Sequence, residues 1–138
     1  MRDPLREAVR WLTQAEMDLD AARTLSERFA ALACFHAQQA AEKALKAILY
    51  ALDERPVIGH ALSELGTRVQ NHIPAFADLR AEIAKLDRYY VPTRYPNGLP
   101  EGGDPASTFD REDADAAIAI AARALEHTRT FIRDQRGE

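Results

Sequence analysis

Apolar residues return every three or four positions near the start of the chain. Leu5, Val9, Leu12, Ala15, Leu19 and Ala22 fall on one face, with Arg6, Glu7, Glu16, Asp20 and Arg23 on the other. That period belongs to an amphipathic α-helix. It predicts one over about residues 4–28, with Pro4 in the first turn, where a missing N–H costs little. A second helix is expected over about 31–52, with Phe35, Leu45, Ile48, Leu49 and Leu52 on its apolar face. Pro56 and Gly59 break the pattern. A shorter helix follows from 60 or 61 to about 71. After Pro74 another is expected over 75–90, striped by Phe76, Leu79, Ile83 and Leu86.

Residues 91–109 hold four prolines and three glycines, so no regular helix is expected to persist there. Loops of this length inside compact domains tend to be functional or mobile. Thr108 or Asp110 is placed to cap a last helix lined by Ile118, Ala121, Leu125, Thr128 and Ile132. With short connections, neighbouring helices run antiparallel. The expectation is an all-α, up-and-down bundle of four main helices plus one short helix, a single domain over 1–138.

Composition changes this picture little but excludes much. Of the 138 residues 46% are hydrophobic, with alanine prominent, and only 7% aromatic, which suits an aliphatic core of closely packed helices. A net charge of −4 lacks the cationic excess of a non-specific nucleic-acid binder, though a local basic site remains open. Cys34 stands alone, so no internal disulfide and no cysteine-based metal site is expected. No stretch is apolar for long enough to span a membrane. Residues 1–10 are charged throughout and lack a signal-peptide core. A soluble, cytoplasmic protein is expected, with no metal and no cofactor.

Two segments carry candidate chemistry. In residues 35–47, small residues at 37, 40, 41, 44 and 47 would let another helix approach closely. Gln38 and Glu42, four apart, share the face that holds Phe35, Leu45 and Leu49. A carboxylate there must be paired. It either fixes helix register through a bundle lysine or arginine, or lines a cleft together with Lys46. In residues 86–96, Tyr90, Arg94 and Tyr95 sit where a helix ends and the long loop begins. Arginine clamps phosphate with two parallel hydrogen bonds, and tyrosine stacks on a base. The competing reading has the tyrosines covering the core's end and Arg94 holding the loop. The four histidines have no metal-like spacing. His60 could cap the third helix, and Arg55 with His60 could act on RNA, one stabilising phosphate charge and the other moving a proton.

The opening from Trp11 to Ala22, the run from Gln38 to Ala47, His60 before Leu62, and the segment from Tyr90 to Pro96 occur in that order. Together they resemble the HEPN domain (higher eukaryotes and prokaryotes nucleotide-binding), over nearly the whole chain. The resemblance implies a bundle of four or five helices that dimerises and is often paired with a minimal nucleotidyltransferase as toxin and antitoxin. Many such domains are metal-independent ribonucleases using an arginine, four to six residues and then a histidine. Here no histidine follows Arg94 in range, and Arg123 and His127 are too close together. Arg55 and His60 have the spacing but lie between the second and third helices. The expectation is therefore a homodimeric accessory or nucleotide-binding protein, partner to a nucleotidyltransferase and more an accessory than an enzyme. Glu42, Lys46, Tyr90, Arg94 and Tyr95 would be its nucleotide-binding residues. A metal-independent ribonuclease toxin and a purely structural oligomerising bundle are the alternatives.

Overall fold

Helix α1 spans Pro4–Leu25, and it begins where the Asp3 carboxylate accepts from the Arg6 N–H with Pro4 in the first turn. The structure, a computed structural model, describes residues 3–137. A tight turn through 26–29 returns the chain into α2, Ala30–Ala51, which packs along the length of α1. The last helix, α6, Arg111–Gln135, lies against both. Its start is Asp110, not Thr108, because Asp110 and Asp113 each accept the other's backbone N–H at 3.0 Å.

These three helices form the core, and small residues set how close they come. Ala33, Ala37, Ala40, Ala41, Ala44 and Ala47 of α2 are fully buried, as are Ala15 and Ala22 of α1 and Ala117, Ala121 and Ala124 of α6. The Thr128 hydroxyl donates to the Ala44 carbonyl at 3.2 Å, so the helix backbones are near enough for a short side chain to bridge them. The close approach anticipated from the small residues of α2 is present.

A smaller pair completes the bundle, with α3 (Leu62–His72) packed on α2 and α4 (Ala77–Ala84) on α3 and α6. The stretch expected as one helix over 75–90 is three successive pieces. A 3-10 turn at Pro74–Phe76 precedes α4, and a second 3-10 segment, Lys85–Tyr89, follows it. Tightened i→i+3 turns are common at helix ends, and Pro92 disfavours helical geometry at Val91.

The proline-rich loop also departs from expectation. It holds a 3-10 turn at Pro96–Gly98 and a single α-turn, α5, Pro105–Thr108. Proline occupies the first position of each, where it favours a helical start. Gly98 lets the loop fold back on itself, since a Cβ there would stand 2.9 Å from Val91 Cγ1 and 3.2 Å from the Pro92 Cα. The Thr93 hydroxyl donates to the Tyr89 carbonyl at 2.5 Å and Thr93 is buried, so the loop's first turn is anchored beneath its own surface. Among the described residues there is no strand, and no helix is long and apolar enough to cross a membrane.

Candidate functional site

The middle of α2 supplies a buried polar tier. Glu42 is only 3% exposed and Lys46 6%. One turn apart, they form an ion pair, Lys46 Nζ to Glu42 Oε2 at 3.2 Å. Gln38, one turn earlier, donates to Glu42 Oε1 at 3.3 Å and to the His60 carbonyl at 3.4 Å. Gln39 donates to Gln38 Oε1 at 2.8 Å. Lys46 also lies 5.5 Å from the centre of the Trp11 ring, which stacks on Tyr50 at 5.3 Å. Glu42 and Lys46 thus sit beneath the surface as a satisfied pair. Among the described residues no buried side-chain nitrogen or oxygen lacks a partner.

His60 connects this tier to the surface. Its Nδ1 lies 3.1 Å from Glu42 Oε2, and its ring stacks on Tyr90 with centroids 5.0 Å apart. A nitrogen facing a carboxylate carries the proton, which leaves the Nε2 of a neutral ring as an acceptor. More than half of the His60 side chain is exposed. The expectation that His60 caps α3 does not hold, because its ring is drawn to Glu42 and Tyr90. The cap comes instead from Asp87, twenty-five residues away from Leu62. Its carboxylate accepts from the Leu62 N–H at 2.5 Å and from the Ser63 N–H at 3.1 Å.

Arg94 is held among rings. Its guanidinium carbon lies 4.3 Å from the centre of Phe35, 4.8 Å from Tyr90 and 5.1 Å from Tyr95. Its Nε donates to the Tyr90 carbonyl at 2.9 Å, so this arginine does brace the loop. Among the described residues no carboxylate lies within ion-pair distance of it. Phe35, read from the sequence only as part of an apolar face, is the third ring of this cage. A one-chain periodicity gives no sign of that contact.

Arg55 and His60, paired by their spacing in the sequence, are held by different contacts. Arg55 pairs with Asp53 at 3.6 Å and lies over Tyr50 at 5.0 Å, while His60 turns to Glu42 and Tyr90. Among the described residues the two side chains have separate sets of contacts.

Next to Arg94 lies an open cleft of about 410 Å³. Arg28, Phe29, Leu32, Arg94, Asp104 and Ala106 are among the residues that line it. Phe29 is 48% exposed and Leu32 41%. Leu32 falls off the core stripe of α2 and Phe29 caps its start, the signal by which the sequence could have marked them.

Elsewhere the titratable groups serve structure. Burial, reinforced by Asp113, pushes the Cys34 thiol up to about 12, which removes thiolate chemistry. Burial would raise Glu54, but hydrogen bonds from Arg68 and His72 outweigh it and hold the carboxyl below its ordinary value. Among the described residues no group of three or more histidine, cysteine or acidic side chains is placed to hold a metal ion.

The HEPN domain model matches residues 8–130. Two solved structures are similar in both sequence and fold. TT1696 from Thermus thermophilus is 34% identical with a TM-score of 0.79, over 93% of this chain and 97% of that one. ST0689, described as an archaeal HEPN homologue, is 36% identical with a TM-score of 0.74, over 91% of this chain and 97% of that one. Among curated proteins none matches.

Proposed function

The chain belongs to the HEPN domain family, and from that premise we propose that it is a non-catalytic nucleotide- or RNA-binding protein whose phosphate contact is Arg94. The observation that carries this reading is the caged guanidinium, pre-set by Phe35, Tyr90 and Tyr95 and, among the described residues, in no ion pair. Such a group is ready for an anion, and guanidinium matches phosphate geometry. His60 and Arg94 both lie against the Tyr90 ring. Glu42 and Lys46 act from below by orienting His60. Dimerisation and pairing with a nucleotidyltransferase, as toxin and antitoxin, rest on the family resemblance.

A ligand that binds only the folded state raises apparent stability, by about 2.7 kcal/mol at a concentration a hundred times its Kd. Millimolar nucleotides should therefore raise the melting temperature of the wild type, and Arg94→Ala should abolish the shift. A wild-type melting curve that stays put with every nucleotide defeats the proposal.

One observation favours a second reading. The Glu42–His60 hydrogen bond sets the tautomer a general base needs, with a cation-bearing ring cluster alongside. Cleavage of RNA in EDTA by the wild type, lost in His60→Ala and in Arg94→Ala, would make this a metal-independent ribonuclease.

A further inference from the structure

We infer that the cleft on the far side of Arg94 receives the nucleobase of a 5′-phosphorylated nucleotide, so that Arg94 divides a phosphate position from a base position. The inference rests on the phosphate-binding reading of Arg94 and extends it to the ligand's other half.

Three features point to this occupant. The first is size and wall chemistry. At about 410 Å³ the cleft is near the lower end of the roughly 300–1,000 Å³ typical of small-molecule sites, which suits one base and not a longer segment. Its walls include the exposed Phe29 ring, Leu32 and Ala106. Phe29 has Arg28 over its ring at 5.5 Å, so an aromatic face and a cation stand together at one wall. Base–aromatic stacking with an adjacent arginine is the recurring way an unpaired base is held.

The second feature is charge. Arg28 and Arg94 both border the cleft, and among the described residues Arg94 forms no ion pair, while Arg28 has none within 4 Å either. A neutral apolar peptide would gain nothing from them, whereas a base with a phosphate at one end would.

The third feature is Asp104. Its two carboxylate oxygens accept from the Ser107 N–H and hydroxyl at 3.0 Å, which fixes the group at the cleft wall. Each oxygen can accept a further bond. A base with an exocyclic amino group, which brings two N–H donors, is favoured over uracil, whose one base donor is its ring N3–H. The same charge repels phosphate and keeps it at the Arg94 end.

The test is NMR titration of the intact protein with AMP, UMP and ribose 5-phosphate, and with a 5′-phosphorylated single-stranded oligonucleotide. AMP should bind about tenfold more tightly than ribose 5-phosphate, the difference being the base contact. It should also bind more tightly than UMP. Ala106→Trp, on an exposed turn, fills the cleft and should bring AMP down to the level of ribose 5-phosphate while leaving ribose 5-phosphate itself unchanged. Phe29→Ser should do the same by removing the ring. The oligonucleotide arm tells whether a free nucleotide or an RNA end is preferred. If Ala106→Trp and Phe29→Ser keep full AMP affinity while Arg94→Ala loses it, the base lies elsewhere and this inference falls while the phosphate reading stands. If ribose 5-phosphate and AMP both fail to bind the wild type, both fall.

Discussion

The seam among α1, α2 and α6 and the edge where residues 53–61 meet residues 85–95 are built on opposite principles. The seam is rich in alanines, packed among Leu19, Leu45, Ile48, Leu49 and Leu125, with helix backbones drawn close. The edge is made of long side chains, His60, Asp87, Tyr90 and Arg94, each held by a partner distant in sequence. Glu42 belongs to both, lying on the seam helix and holding a residue of the edge. The lesson is that a rigid alanine scaffold fixes one wall, and polar links then align the connections against it.

The largest break should come in the seam. Ala44→Leu forces extra methylenes into a site with no exposed area and beside the Thr128 contact. Overpacking of this kind costs about 3 kcal/mol, a drop in Tm of roughly 10 °C for a chain of this size. A calorimetric scan that shows no loss would mean the seam is looser than its geometry. At the edge the effect should be smaller and local. Asp87→Ala removes the acceptor for two N–H groups at the start of α3, a loss of about 1 kcal/mol, with Asp87→Asn recovering most of it. Hydrogen exchange at Leu62 and Ser63 should rise before that of α2. If exchange rises uniformly, the edge is not a separate unit.

The smallest effect should be pH dependence. His127 packs edge-to-face on Phe76 at 5.0 Å, and burial lowers its pKa. The unfolded chain therefore takes up this proton first as pH falls. The contribution is whole above the ordinary histidine value of about 6.5 and fades as pH drops from there toward the lowered folded value. His127→Gln should flatten urea midpoints between pH 7 and pH 5.5. Glu54, also held low, acts in a separate window, fading as pH falls from the ordinary glutamate value of about 4.3. A wild-type midpoint that rises on acidification to 5.5 would contradict the assignment to His127.

The seam was legible because alanine spacing and helical period are local. The small residues at 37, 40, 41, 44 and 47, the buried pairing of Glu42 and the all-α bundle can each be read within one or two turns of chain. The grouping of Arg94 with Tyr90 and Tyr95 is local too, and both rings lie against its guanidinium. What failed were contacts across sequence. Asp87 capping α3 and Phe35 completing the Arg94 cage depend on how two connections lie on the scaffold. Nothing periodic encodes them. The helical turns inside the proline-rich loop are hidden for another reason: proline, a breaker inside a helix, stands here at the first position of each turn.

The cage around Arg94 has a consequence in rotamer entropy. A free arginine side chain samples many conformations, and ordering one at an interface costs about 0.5–1.5 kcal/mol. Between Phe35, Tyr90 and Tyr95, with Nε already donating to a carbonyl, that freedom is surrendered when the chain folds. An anion arriving at this guanidinium meets a side chain with little left to lose, so a fixed electrostatic attraction converts into affinity more fully than at a surface arginine of equal charge.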